Sequence, residues 1–297
     1  MKAGKQKKKT KSTVLFLLVF MTGLGLLLYP SVSNYWNSLH QTEAIASYME
    51  SISAVNSAEL DAMLQSAQEY NERLISRSPG EHLSEDEQAQ YLSLLDPQGN
   101  GMMGYLDIPS IDCSLPVFHG TSDAVLHNAV GHVDWSSLPV GGKGSHCVLS
   151  GHRGMPSAKL FSELDQVQIG DRFVLTILQQ TLTYEVDDIR VVEPQEVSSL
   201  EIRPGEDLCT LVTCTPYGIN THRLLVQGRR TDNDPSHDKL HLVSEAIRIK
   251  KLIVAAILFA IVVSLLMLWL PLDVIVRRVR KRLRASAAKK NSDPKSR

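Results

Sequence analysis

Cys214 stands apart from the other cysteines of this 297-residue chain. It closes the β-like run Thr210-Leu211-Val212-Thr213 and opens the turn Thr215-Pro216-Tyr217-Gly218. A thiol where a strand gives way to a turn is placed to act as a nucleophile. Cys113, Cys147 and Cys209 lie in apolar, strand-like text (IDCSLPV, SHCVLS, EDLCTLV), which fits buried free thiols. A Cys113–Cys147 disulfide remains open. Cys209 and Cys214 cannot easily pair, because five residues of strand put them on opposite faces about 16 Å apart.

A thiolate that attacks an acyl carbon needs a proton partner and a group that stabilises the resulting oxyanion. His152 lies in Leu149-Ser150-Gly151-His152-Arg153-Gly154, where an apolar strand runs into a glycine-flanked turn that leaves the imidazole accessible. Arg223 starts the strand Leu224-Leu225-Val226, and a hairpin returns it beside Cys214. A nearby cation lowers a thiol pKa, and a guanidinium can donate to a carbonyl or an oxyanion. Singly, each is more often a surface residue; the combination is what points to acyl chemistry. No aspartate is clearly placed to orient His152, which implies a Cys–His pair with Arg rather than a Ser-His-Asp-like triad.

The elements that must position these residues are mainly β. Short runs at Tyr105–Ile108, Ser114–Phe118, His146–Ser150, Phe173–Leu178, Thr181–Val192, Thr210–Cys214 and Leu224–Gln227 are separated by Pro/Gly/Asp punctuation. This predicts a mostly antiparallel barrel or sandwich, with the Cys214 sulfur at the mouth of the barrel. Upstream, Ile45, Met49, Ile52 and Val55, then Leu60, Met63 and Leu64, repeat at helical spacing and predict two helices broken near Ser78-Pro79-Gly80. The turn-forming Asp96-Pro97-Gln98-Gly99-Asn100-Gly101 divides the two regions.

Charge is sorted along the chain. The net −1 from 31 Lys+Arg and 32 Asp+Glu hides six Lys and no acid in residues 1–13, and ten Lys+Arg against Asp273 and Asp293 in residues 273–297. The acidic excess lies between. Val14–Tyr29 is uncharged but spans only about 24 Å as a helix, short for a bilayer; Leu252–Leu272 spans about 31 Å, enough to cross. Basic flanks stay in the cytoplasm, so both tails are expected inside and the acidic middle outside the cell membrane. A cleavable signal peptide is the rival reading of the first segment. The expected layout is a basic tail (1–13), a first transmembrane helix or signal anchor (14–30), a helical region (31–95), a turn (96–103), a catalytic barrel (104–230), a linker (231–251), a second transmembrane helix (252–272) and a basic tail (273–297). An apolar fraction of 43% excludes disorder, and four Cys exclude a disulfide-dense mini-protein. The basic tails beside a membrane are read as orientation signals and lipid contacts, with no nucleic-acid partner.

Three segments, Gly104–Ser122 (GYLDIPSIDCSLPVFHGTS), Leu138–Phe161 (LPVGGKGSHCVLSGHRGMPSAKLF) and Thr210–Leu225 (TLVTCTPYGINTHRLL), closely resemble sortases of the class C, pilin-polymerising group. The resemblance spans about Asp96 to Arg229 and includes the two-anchor layout. It implies an eight-stranded sortase β-barrel, with Cys214 the nucleophile, His152 the general acid/base and Arg223 the oxyanion-stabilising or substrate-positioning cation. The implied reaction is transpeptidation at an LPxTG-like signal: a thioacyl-enzyme forms between Cys214 and the Thr carbonyl and is resolved by a pilin lysine amine. Wall-anchoring relatives use a peptidoglycan amine instead. Hydrolysis by the same dyad and a non-catalytic adhesion module are competing readings, the latter disfavoured because Cys214, His152 and Arg223 are all present. Class C relatives also carry a lid with an Asp-Pro-aromatic tripeptide over the active site. The matching position is Asp96-Pro97-Gln98, within a lid of residues 96–103, in which Asp96 would pair with Arg223 and Gln98 replaces the aromatic, so that the plug would be looser or use Met102 or Met103; an ordinary turn is the rival reading.

Two remaining patterns carry no chemistry. Gly141-Gly142-Lys143-Gly144 lacks the Ser/Thr after Lys and the glycine spacing of a phosphate loop and reads as a turn. His127, His132 and Asp134 form too sparse a group for a metal site, so neither metal nor cofactor is expected.

Overall fold

The computed structural model describes residues 3–75, 77–233, 260, 261 and 264. The chain divides into two compact units, Met1–Leu28 with Ile247–Arg297, and Tyr29–Ala246. The second unit contains every candidate site residue. The apolar run Val14–Tyr29 lies within helix α1 (Ala3–Ala54). Among the described residues no helix is long and apolar enough to cross a membrane. The expected second anchor, Leu252–Leu272, lies almost wholly outside the described residues.

Eight strands close into a barrel in the order β1-β2-β3-β4-β7-β8-β6-β5. They are β1 (Met102–Ile108), β2 (Cys113–His119), β3 (Val130–His132), β4 (Ser145–Ser150), β5 (Arg172–Ile177), β6 (Gln180–Val192), β7 (Asp207–Thr215) and β8 (His222–Arg230). The seven runs legible in the sequence are all strands. The eighth, β3, is three residues long, too short for alternation to register. Most pairings are antiparallel as expected, but β2·β3 and β4·β7 are parallel, and the site depends on the second of these.

Alternation along the strands sorts side chains between the barrel core and an outer face. Cys147 and Leu149 of β4, Cys209 and Leu211 of β7, and Leu224 and Val226 of β8 belong to the main core. Their neighbours Val148 and Leu225, with Leu200, form a second, smaller apolar cluster, against which Val133, Trp135, Val192 and Val212 pack. This is the period of two expected of strands covered on both sides. Gly228 is required where β8 passes Phe173, since an added Cβ would lie 2.6 Å from the Phe173 ring.

The helical region has one more break than the sequence predicts. Beyond the end of α1 come α2 (Ser57–Leu74) and α3 (Glu85–Ser93). The gap near Ser78-Pro79-Gly80 is present. The additional break falls at Asn56, which is extended and caps α2 by accepting from the Ala58 amide at 3.0 Å. Apolar spacing continues through that cap, so periodicity does not reveal it. Ile45, Tyr48 and Ile52 of α1 and Leu60, Ala67, Tyr70 and Leu74 of α2 are buried in the main core. Asn71 of α2 makes two bonds to the backbone of Leu138, and the Tyr48 hydroxyl donates to the Met103 carbonyl at 2.6 Å and accepts from the Leu178 amide at 2.8 Å. Helix and barrel therefore share one core.

Two outcomes follow for stability. Tyr48→Phe removes both hydroxyl bonds in a buried site and is expected to cost about 1–3 kcal/mol, measured from the denaturant midpoint. Burial holds His119 and His146 below their ordinary pKa of 6.5. The unfolded chain therefore binds more protons as pH falls, so this contribution to stability is complete above pH 6.5 and is lost on acidification. Replacing both with Gln should flatten the decline in midpoint below pH 6.5; an unchanged slope counts against it.

Candidate active site

The two neighbours of β7 bring the three predicted residues together. Along β4·β7 the parallel register pairs Ser150 with Val212, so His152 and Cys214, each two residues further on, are level. The Gly151 amide continues this ladder by donating to the Val212 carbonyl at 3.0 Å, and the Thr213 hydroxyl donates back to the Gly151 carbonyl at 2.7 Å. Along β7·β8 the antiparallel register pairs Cys214 directly with Arg223. Cys214 thus stands between His152 on one side and Arg223 on the other.

Strand alternation also decides which way these side chains face. Cys214 shares parity with Val212, Arg223 with Leu225, and His152 with Val148 and Ser150, all on the outer face rather than the core. The thiol is half-buried on that face near the strand end. Cys214 lies one residue before the end of β7, and its parity turns it to the outer face there, since inward parity belongs to Cys209 and Thr213. A groove of about 400 Å³ runs along the same face, floored by Val148, Val212 and Leu225, walled by Trp135 and by the segment Pro194–Leu200, and reaching Arg223. It is mainly apolar, with Arg223 and Glu196 as its charged members.

Local packing fixes the loop that carries His152. An added Cβ on Gly151 would lie 2.6 Å from the Phe161 ring, so only glycine lets that buried ring close over the strand end. The Phe161 amide donates to the His152 carbonyl at 3.1 Å. The His152 ring meets His127 edge to face, with centroids 6.2 Å apart. Burial holds the His152 pKa below 6.5, the His127 charge adds to that effect, and Asp123 opposes it. Asp123 and His127 both belong to the short helix α4 (Asp123–Leu126) and its cap.

The other three cysteines, Cys113, Cys147 and Cys209, are buried and form no disulfide. Cys147 and Cys209 face each other across β4·β7 inside the core, and burial pushes the Cys209 thiol up. The Cys113 thiol points at the Leu160 carbonyl. A Cys113–Cys147 disulfide is not formed.

The sortase-domain family profile matches residues 106–231. Sortase C1 from Streptococcus agalactiae has 45% sequence identity with a TM-score of 0.63 over 65% of this chain and 100% of its own. Sortase C from Streptococcus pneumoniae has 41% identity and a TM-score of 0.57, covering 64% of this chain and 97% of that one. The Clostridium perfringens sortase C solved with its C-terminal cell wall sorting motif has 39% identity and a TM-score of 0.56, over 64% and 99%.

The chain belongs to the sortase family. It is accordingly a cysteine transpeptidase by family and fold, with class C sortases among its structural neighbours. Within this sortase the sequence did not single out Arg153. Its guanidinium donates to the Thr215 hydroxyl at 3.1 Å and pairs with Asp165 at 2.5 Å, tying the residue after Cys214 to the loop after His152. Adjacency to His152 in the sequence was the one signal for it. The aromatic ring of Tyr217 lies over Gly154, whose φ of +81° suits glycine.

The lid residues sit elsewhere. Asp96 Oδ1 accepts from the amides of Asn100 and Gly101, shaping the turn into β1, and the Gln98 amide donates to the Ser47 carbonyl of α1. The register pairs Met102 with Phe118, and the His119 amide donates to the Gly101 carbonyl at 2.9 Å, so this turn lies against the end of β2. Asp96 therefore organises a tight turn and does not pair with Arg223, whose guanidinium donates to the carbonyls of Asn220 and His222.

Cys214→Ala should abolish thioacyl capture of a sorting-signal peptide, a loss of roughly 10³-fold or more in turnover. Arg223→Lys keeps the charge but loses the planar fork and should cost about 10²-fold in kcat with KM little changed. Equal activity of Arg223→Lys and the parent would remove the oxyanion role.

Proposed function

We infer that this sortase cleaves an LPxTG-like signal between Thr and Gly and joins the Thr carbonyl to a lysine amine of a pilin subunit. The observation that carries the reading is the register that sets His152, Cys214 and Arg223 level on neighbouring strands, beside an apolar groove that reaches Arg223. An extended peptide with Leu and Pro leading to the scissile bond matches that groove, its apolar side chains lying over Val148, Val212 and Leu225 and its Thr carbonyl reaching Arg223.

The chemistry follows from the geometry. The Cys214 thiolate attacks the Thr carbonyl carbon, forming an S–C bond, and the negative charge moves to the carbonyl oxygen beside Arg223. Collapse breaks the C–N bond as His152 gives its proton to the departing Gly amine. A lysine amine then attacks the thioester and passes its proton to His152, and the thiolate leaves. Placing the reacting groups this way converts two encounters into unimolecular steps.

Two solved neighbours support the substrate class. The Clostridium perfringens sortase C holds a C-terminal cell wall sorting motif, and the Streptococcus pneumoniae sortase C structure bears on pilin substrate specificity. The charge distribution and the two uncharged segments support anchoring in the cell membrane of a Gram-positive bacterium, with both tails cytoplasmic and the barrel outside.

Incubation of the full chain in vesicles with a lysine-bearing pilin that ends in an LPxTG-like signal should give a denaturant-resistant ladder joined by isopeptide bonds. Free carboxylate at Thr as the sole product counts for hydrolysis, and product formed only with a peptidoglycan amine counts for wall anchoring. Leu225→Glu in the groove floor should raise KM for the signal peptide by about tenfold or more while leaving thiol labelling of Cys214 intact.

A further inference from the structure

Helix α1 between Tyr29 and Ala54 has two faces with different fates. Asn34, Asn37, Gln41, Ile45, Tyr48 and Ile52 recur at spacings of three and four residues and so share one face. The last three are buried in the core. The first three hydrogen-bond the loops around the active site. The Asn34 side chain accepts from the Lys159 amide at 2.7 Å, Asn37 donates to the Ser157 carbonyl at 2.8 Å, and Gln41 donates to the Asn128 carbonyl at 2.7 Å. Ser157 and Lys159 belong to the loop that begins at His152, and Asn128 follows His127.

The opposite face is apolar and bare. At about 100° per residue, Val32, Tyr35, Trp36 and Leu39 fall on one stripe, turned half a circle from Asn34, Asn37 and Gln41. All four are exposed, Trp36 by 62%. Single exposed apolar residues are ordinary, but a stripe at helical spacing is not. No Lys, Arg, Asp or Glu occurs from Ser12 through Thr42, so the stripe continues an uncharged run that starts before Val14. It ends at Glu43, and Glu50 follows on the same exposed side. Tyr and Trp next to an apolar run are the residues that settle at the boundary between headgroups and acyl chains.

We propose that the Val32–Tyr35–Trp36–Leu39 stripe seats in the lipid headgroup–acyl boundary while the opposite face of the same turns braces the His152 loop, so that the membrane surface is part of the scaffold of the active site. The proposal rests on the membrane anchoring described above. It adds that the helix does more than tether: Asn34, Asn37 and Gln41 are positioning residues whose hold on residues 157, 159 and 128 depends on α1 lying fixed. A lipid surface is favoured over a second copy of this chain because the stripe is continuous with the uncharged run and stops where charge returns.

The test uses the full chain with Trp135→Phe and Trp269→Phe, leaving Trp36 as the single tryptophan, in phosphatidylglycerol/phosphatidylcholine vesicles that contain lipids brominated close to the headgroup. The expected result is flotation with the vesicles, blue-shifted Trp36 emission and loss of most of that emission to bromine. Flotation with unquenched Trp36 overturns the proposal and leaves the anchoring reading intact. Failure to float overturns both. Shielding of Trp36 that disappears when the protein is diluted in lipid assigns the stripe to a second copy and likewise overturns it. The brace is read separately: Asn37→Ala with Gln41→Ala should keep Trp36 quenched while lowering kcat by about tenfold at unchanged KM and speeding amide exchange in residues 153–162. Unchanged kcat and exchange overturn the bracing role.

Discussion

The arrangement of the candidate active site depends on the double register of β7. A parallel neighbour on one side and an antiparallel neighbour on the other fix, through backbone hydrogen bonds, which residues stand level with Cys214. A slip of one residue in either ladder would send the side chains of one strand to the opposite face. The core enforces the register, because the alternate positions Cys147, Leu149, Cys209, Leu211, Leu224 and Val226 must all remain inside. Packing of the apolar interior and alignment of the polar trio are therefore one constraint.

From that constraint the groove follows. Residues of outward parity on β4, β7 and β8 are covered by Trp135, Val192 and Leu200 only in part, leaving an apolar channel that ends at Arg223. The loops then hold what the strands cannot. Gly151 admits Phe161, Arg153 links Thr215 to Asp165, and α1 reaches the far side of the His152 loop through Asn34 and Asn37. The helical region and the barrel share a core through Tyr48, so the brace and the site are mechanically continuous.

Much of this was legible beforehand, for identifiable reasons. Seven strands announced themselves by alternation and punctuation, while β3 was too short and its parallel pairing has no local signature. Asn56 broke a helix without breaking the apolar spacing. Asp96-Pro97-Gln98 had the composition of a lid, but a turn motif does not record which groups its aspartate will meet. In the structure Asp96 is spent on the amides of Asn100 and Gly101. His127 and Arg153 were ordinary polar residues in the text and became neighbours of the site only once α4 and the His152 loop were folded back.

Residue types and their order are enough to nominate the chemistry and to partition the chain. Residue type makes Cys214 a candidate nucleophile, His152 a candidate proton carrier and Arg223 a candidate oxyanion cation, and the sorting of charge around two uncharged runs is a property of order alone. The faces are set by packing and register. That the thiol has outward parity, that Asp96 is held within its own turn, and that α1 turns an apolar stripe away from the loops it contacts all depend on ladder register and on contacts between residues far apart in the chain, which no local pattern encodes.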